Sequence, residues 1–196
     1  MKIKLSLLFS FLVFSFTHAQ NQQSYSIQNI FFIGNESLSQ KSLLGQIDLK
    51  TTSLFSFNDI DFDRRLLKLD AISIKNFYNS NGFLEAVVKD SFEIQNDGVN
   101  IFFIINEGVR YYLKDVELIG NNTIKDHEVL SILGLKKDSY YNPIGINKNL
   151  VFLDEKLQEE GKLFARFDIK QIISDSVDLE IIINEGQDIF INNTWI

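Results

Sequence analysis

Two glutamates occupy matching positions in the sequence, and paired carboxylates are groups that can perform acid–base catalysis or bind a metal ion. Glu107 and Glu185 each follow Ile-Ile-Asn and precede a glycine, about 78 residues apart. Acid–base catalysis requires both groups within hydrogen-bonding reach of the reacting atoms. Because each glutamate ends its own copy of the same short motif, we interpret both as residues that close a strand before a turn.

The other side chains that could react or bind a metal form no recognisable catalytic or metal site. His127 has no serine, cysteine or second metal ligand at a suitable spacing. Asp59, Asp61 and Asp63 resemble the start of a calcium loop, but the glycine and the later bidentate glutamate of such loops are missing. Acidic residues in this pattern instead favour a helix N-terminus, where the helix dipole is positive. We therefore expect no catalytic residue, no metal and no cofactor.

The first residues have the pattern of a secretory signal peptide. Lys2 and Lys4 precede an apolar run over residues 5–16, and Ala19 is a small residue suited to the cleavage position. The run is shorter than the roughly 20 residues that a membrane-spanning helix requires. We expect residues 1–19 to be removed and the remainder to be exported.

The expected mature chain is acidic and has no cysteine. Removing residues 1–19 leaves 17 basic and 26 acidic residues, a formal charge of −9. This charge argues against binding to nucleic acid, which needs a basic surface, and against docking on anionic lipid through a polybasic patch. The absence of cysteine excludes disulfides and thiol nucleophiles. Stability must therefore come from packed hydrophobic cores.

An internal repeat of about 80 residues runs through the sequence. Three anchors recur in the same order, and the second copy is about eight residues shorter. The anchors are Gly34-Asn35 and Gly120-Asn121 after an apolar run, Gly82-Phe83 and Gly161-Lys162 in mid-repeat, and Asn106-Glu107-Gly108 and Asn184-Glu185-Gly186 near the end. Their common order makes chance similarity an unsatisfactory explanation.

Each copy predicts the element order β-α-α-β-β. β-Branched and aromatic runs predict strands, apolar residues at spacings of three and four predict helices, and Asp-Gly or Asp-Ser predicts a hairpin turn. Asn142 and Asn58 are predicted to cap the second helix of each copy. The predicted strands are 27–33, 83–94 and 99–105 in the first copy and 113–119, 163–173 and 177–183 in the second.

This pattern resembles the POTRA (polypeptide-transport-associated) domains found in front of outer-membrane β-barrels of the BamA and TamA type. The resemblance rests on the three anchors and covers about residues 26–187. It implies an α+β fold with two tandem POTRA-like β-α-α-β-β units, each with two helices packed on a three-stranded mixed sheet. The predicted units are 26–109 and 110–187.

The resemblance implies a periplasmic polypeptide-binding module of an outer-membrane protein assembly or translocation factor, and no enzyme. Unfolded outer-membrane protein precursors would add as strands to free sheet edges, and periplasmic lipoproteins or chaperones are further candidate partners. An alternative is a structural spacer or docking rod for lipoproteins without client contact. The strand after the second helix is expected at the edge, and its predicted partner-binding residues are Phe83, Glu85, Val87, Lys89, Leu163, Ala165, Phe167 and Ile169.

The C-terminal residues extend the repeat. Aligning Gly186 with Gly108 places Thr194 on Val116 and Ile196 on Leu118. Residues 188–196 are therefore predicted to form the first strand of a truncated third repeat, and the chain is predicted to be a fragment or truncated product. Contact with a membrane would require a barrel that this sequence does not include.

Overall fold

The computed structural model describes residues 25–51, 62–96 and 98–187 and contains two copies of one α+β unit. The predicted fold class is confirmed. The first unit comprises β1 (Ser26–Ile33), α1 (Gln40–Leu44), α2 (Arg64–Ser80), β2 (Val87–Gln95) and β3 (Gly98–Asn106). The second comprises β4 (Leu113–Ile119), α3 (Asp126–Leu133), α4 (Pro143–Glu159), β5 (Arg166–Ile173) and β6 (Val177–Asn184).

Two sequence predictions fall outside this part of the chain. The signal peptide at residues 1–19 and the strand at residues 188–196 lie outside the described residues, and both stay predictions. Among the helices of the described ranges, none combines the length and the apolar composition that are needed to cross a bilayer.

The last strand of each unit lies in the centre of its sheet. The strand order is β1-β3-β2 in the first unit and β4-β6-β5 in the second. The first strand pairs parallel to the central strand, and the hairpin partner pairs antiparallel to it. Both sheets are therefore mixed, as expected.

Each unit has its own hydrophobic core between its sheet and its helices. The central strands alternate, since every second residue of a strand points to the same face. The fully or nearly fully buried residues of the central strands are Val99, Ile101, Phe103 and Ile105 in β3 and Val177, Leu179, Ile181 and Ile183 in β6. Helices α2 and α4 cover these faces with Leu67, Ala71, Ile74 and Tyr78 and with Ile146, Leu153 and Leu157.

The Gly-Asn anchor makes the turn that follows the first strand of each unit. Gly34 and Gly120 both have φ near +88°, a conformation that L-residues rarely adopt. A Cβ atom on Gly34 would collide with the carbonyl oxygen of Ile105 on the neighbouring strand, and Gly120 meets Ile183 in the same way. The anchor therefore marks a position where two backbones approach too closely for any side chain.

Helix α2 begins later than the sequence predicts. Its N-cap is Asp63, which has an extended backbone and accepts a 2.7 Å hydrogen bond from the backbone N–H of Arg65. The predicted cap, Asn58, lies outside the described residues and precedes the helix by several positions, so that assignment was wrong. In the second unit Asn142 caps α4 as predicted, through a 2.8 Å bond from the N–H of Gly145.

The edge strands also begin later than predicted. The N–H of Phe83 donates to the carbonyl of Tyr78, and the N–H of Ala86 donates to the carbonyl of Phe83. These bonds form a compact turn after α2, so β2 begins at Val87 and not at residue 83. The second unit turns in the same region, and β5 begins at Arg166.

Replacing Gly34 by alanine should lower the free energy of unfolding by roughly 2–3 kcal/mol, because the new Cβ combines backbone strain with the clash at Ile105. Urea denaturation followed by circular dichroism measures this change. Gly45→Ala is the matched control, because Gly45 has a negative φ of −71° and should lose far less stability. Equal losses in both variants would refute the assigned role of Gly34.

Candidate functional site

The candidate site consists of the free edges of the two sheets. β2 and β5, which follow the second helix of each unit, each pair on one side only with the central strand. In residues 25–51, 62–96 and 98–187, no other strand pairs with their outer sides. An edge strand presents backbone N–H and C=O groups that an extended polypeptide can pair with.

The edges of β1 and β4 differ from those of β2 and β5. The register shifts between Ile27 and Asn29 in β1, and between Leu113 and Asp115 in β4. Each shift lies near the start of its strand, and an irregularity of this kind twists the strand locally and disfavours pairing with a further strand there. β2 and β5 pair with their central strands without a register shift. The regular edges are therefore the ones that follow the second helix.

The predicted partner-binding side chains lie on opposite faces in the two units. Val87 and Lys89 are exposed on the face of the first sheet that points away from the helices. Phe167 and Ile169 instead pack against the core of the second unit. The two predicted sets are one residue out of register, and a shift of one residue in a strand exchanges its faces.

The other predicted side chains precede the edge strands. Phe83 is 3% exposed and packs edge-on against Tyr78, with ring centroids 5.5 Å apart, so its side chain is part of the core. Glu85 and Leu163 are exposed and Ala165 is half-buried, but none of them lies within β2 or β5. The expectation that these residues lie on edge strands was wrong, because the chain forms a turn there.

The exposed sheet face of the first unit carries an apolar surface that the sequence analysis missed. Phe31 and Phe102 stack with ring centroids 5.1 Å apart, beside the exposed Ile33 and Ile104. The signal was present in the sequence, because β1 and β3 contain apolar runs in which both faces are apolar. In the second unit the equivalent face bears charge, and Lys170 pairs with Glu180 at 2.6 Å.

Glu107 and Glu185 follow the last residues of β3 and β6, as the interpretation from sequence requires. Each belongs to a separate unit and joins the end of the central strand to the turn after the first strand. Glu107 accepts hydrogen bonds from the N–H of Ser37 and from the hydroxyl of Tyr78, both at 2.9 Å. Glu185 accepts from the N–H and hydroxyl of Thr123, both at 2.7 Å.

The environment of Glu107 favours its ionised form. Burial raises the pKa of Glu107, but the hydrogen bonds from Ser37 and Tyr78 together lower it by more. The pKa of Glu107 therefore lies below its ordinary value. Burial, together with the bond to Glu107, raises the pKa of Tyr78. At neutral pH the carboxylate accepts and the phenol donates. Within the described ranges, no group of three or more acidic or histidine side chains is arranged to hold a metal ion.

A set of specific contacts joins the two units. The N–H of Tyr111 donates to the carbonyl of Gly82 at 2.8 Å, and Nε of Arg110 donates to the carbonyl of Asn81 at 2.8 Å. The Arg110 guanidinium also lies 5.0 Å from the ring centroid of Phe83 and 3.1 Å from that of Tyr140. Leu84 of the first unit packs against the core of the second. The two units therefore contact each other through specific hydrogen bonds, ring contacts and apolar packing at their short connection.

Glu107→Gln should lower the free energy of unfolding at pH 7 by about 1–2 kcal/mol, because hydrogen bonds to a charged acceptor are the stronger ones. The folded pKa lies below the unfolded one, so the stabilisation is present above the unfolded pKa. It is lost as the pH falls through the folded pKa. Urea titrations between pH 3 and pH 7 should show the variant and the wild type converging at acid pH. Glu93→Gln, at an exposed position of β2, is the control. If the difference in free energy of unfolding between wild type and Glu107→Gln persisted at low pH, it would contradict the assigned role of Glu107.

Arg110→Ala should loosen the interface between the units while each unit stays folded, because it removes two cation–π contacts worth about 0.5–2 kcal/mol each. NMR relaxation should then give the two units shorter and unequal rotational correlation times. Arg65→Ala removes an exposed arginine from the first unit and should leave them unchanged. A common, unchanged correlation time in Arg110→Ala would contradict this prediction.

Comparison with known proteins agrees with this geometry. The POTRA family model, described as surface antigen variable number repeat, matches residues 25–108 and 111–186. The outer membrane protein assembly factor BamA of Nitratidesulfovibrio vulgaris (strain Hildenborough) is 23% identical over an alignment of 184 residues, and the match covers 87% of this chain and 23% of the relative. The chain thus spans about a quarter of that relative.

Solved structures share the fold. The POTRA3-5 segment of Haemophilus influenzae BamA aligns with a TM-score of 0.59 and 23% identity, over 84% of this chain and 68% of the other. The N-terminal domain of Omp85 from Thermosynechococcus elongatus aligns with a TM-score of 0.50 and 15% identity, over 83% and 63%. Since the family model matches both repeats and most of the sequence, the chain belongs to the POTRA family.

Proposed function

We propose that this chain is the periplasmic polypeptide-binding part of an outer-membrane protein assembly or translocation factor. It binds unfolded outer-membrane protein precursors by pairing them with the free edges of β2 and β5. The observation that carries the proposal is the pair of regular edges on β2 and β5, in sheets whose other edge strands have a register shift near their start. The signal-peptide pattern of residues 1–19 supports export.

Binding through the main chain suits a factor that handles many different clients. An added strand gains backbone hydrogen bonds whatever its side chains are, and the flanking side chains supply the preference. Both edges have exposed apolar residues toward their ends, with Val87 and Ile94 on β2 and Ile172 and Ile173 on β5. These side chains favour extended segments with apolar residues, such as the strands of a barrel precursor.

Charged residues lie between the apolar residues at the two ends of β2 and limit its pairing with other sheets. Lys89, Asp90 and Glu93 are exposed along β2, and charges on an edge strand discourage indiscriminate pairing between sheets. An edge of this composition favours transient contact with extended polypeptide over permanent aggregation. That property fits a protein that passes clients on.

The second candidate function is a spacer or docking rod for periplasmic lipoproteins or chaperones, without client contact. The observation that favours it is the interface at Arg110, which joins the two units through hydrogen bonds and ring contacts. A rod needs such a connection, whereas client capture needs only the edges. Partner binding that survives blockage of the β2 and β5 edges would support this second function.

Proline substitutions at Lys89 and Asp90 test the edge. Successive residues of an antiparallel edge strand point their N–H groups alternately toward the neighbouring strand and toward solvent. One variant therefore loses a bond to β3 and destabilises the sheet, and the other loses only an outward donor. The variant that keeps wild-type stability should bind a peptide copied from a transmembrane strand of an outer-membrane barrel at least about tenfold more weakly.

Lys89→Ala and Asp90→Ala are the matched controls, because they change the side chains and leave the N–H groups in place. Both should bind the peptide within about twofold of wild type. Affinity is measured by fluorescence anisotropy of the labelled peptide, and folding by urea denaturation. Wild-type affinity in the stable proline variant would rule out pairing at the β2 edge.

A further inference from the structure

We propose that Gly161, Leu163 and Phe164 form a docking surface for residues 188–196 of this chain. In this arrangement residues 188–190 contact the second unit as residues 110–112 contact the first. The occupant is thus a segment of the same polypeptide that lies outside the described residues. The surface is assigned by comparing equivalent positions of the two units.

The equivalent residues of the first unit contact the chain that follows them. The carbonyl of Gly82 accepts the N–H of Tyr111, and Leu84 packs against the core of the following unit. Glu85 accepts a 3.2 Å hydrogen bond from the hydroxyl of Tyr111. These three residues precede β2 and together receive the chain that leaves β3.

The matching residues of the second unit are an exposed apolar pair. Leu163, equivalent to Leu84, is 47% exposed, and Phe164, equivalent to Glu85, is 66% exposed. Exposing a leucine beside a phenylalanine is unfavourable at about 25 cal/mol for each Å² of apolar surface left in water. In the first unit the corresponding Leu84 is half-buried against the core of the following unit. Glu85 is exposed but is a polar residue, and it accepts a hydrogen bond from the following chain.

The chain leaves both sheets by the same turn. Gly108 and Gly186 have φ values of +70° and +73°, and their N–H groups donate to the side chains of Asn106 and Asn184. The turn at Gly108 lies against Glu85, where an added Cβ would be 3.2 Å from the Cβ of Glu85. The turn at Gly186 lies against Phe164 in the same manner. The following residues are therefore directed to the same place on each unit.

The residues on both sides of the proposed contact are apolar in the second unit where they are polar in the first. In the first unit a tyrosine, Tyr111, bonds to a carboxylate, Glu85. With Gly186 aligned on Gly108, the equivalent residues are Ile189 and Phe164, so a polar pair is replaced by an apolar one. Asp188 takes the place of Arg110, so this contact relies on apolar packing and a backbone bond from Ile189 to Gly161.

This assignment changes the role of Leu163. It was expected to bind partners on an edge strand, whereas here it contacts the chain's own C-terminal segment. The client-binding edges of β2 and β5 are separate from this surface, so failure of one proposal leaves the other standing.

NMR on the isotopically labelled chain tests the proposal. Docking predicts nuclear Overhauser contacts between the Ile189 methyl groups and the Phe164 ring. It also predicts that the Ile189 amide exchanges with solvent at least about tenfold more slowly than an unstructured amide. Phe164→Ser removes the apolar partner from an exposed position without disturbing the core, and it should return the Ile189 amide to the exchange rate of an unstructured amide.

Phe152→Ser is the matched control, because Phe152 is 56% exposed on helix α4 of the same unit, and it should leave both signals unchanged. Chemical shifts elsewhere in the second unit confirm that each variant is folded. Exchange of Ile189 at the unstructured rate in the wild type, or protection unaffected by Phe164→Ser, would overturn the proposal. Protection that grows with protein concentration would overturn it as well, because a second copy would then cover the surface.

Discussion

Parallel pairing between the first and last strands of each unit is the constraint on which the rest of the structure depends. Because β3 and β6 take the central positions, the strands that precede them, β2 and β5, are forced to the edges. The pairing is held at one end by the close approach of the turn glycine Gly34 to Ile105. Beside it, the carboxylate of Glu107 binds Ser37 in the turn after β1. Free edges are thus a consequence of strand order.

The repeat preserves this scaffold while the surfaces diverge. Glu107 and Glu185 accept the N–H of equivalent turn residues, Ser37 and Thr123. The hydroxyl donor differs, because Tyr78 donates to Glu107 and Thr123 itself donates to Glu185. The exposed sheet face holds the Phe31–Phe102 stack in one unit, and the other has Glu180 paired with Lys170. Each unit therefore keeps the same arrangement of sheet and helices and exposes a different sheet face.

Contacts around Arg110 join the two units. The guanidinium meets rings from both units, and its Nε satisfies a carbonyl at the end of α2. Helices α2 and α4 also contact each other. If an extended polypeptide pairs with a sheet edge, an edge on a loosely tethered unit loses more orientational freedom than an edge held by such contacts.

The sequence by itself determined the fold class, the two repeats, the hairpins and the cap of α4, because periodicity, glycine positions and capping residues are local signals. It misplaced the start of α2 at Asn58 and extended the edge strand back to Phe83, since turns compete with strand patterns over a few residues. Only the tertiary structure decided which face each edge residue occupies, what Glu107 binds and where Arg110 lies. Those facts depend on contacts between residues far apart in the chain, which local sequence patterns do not predict.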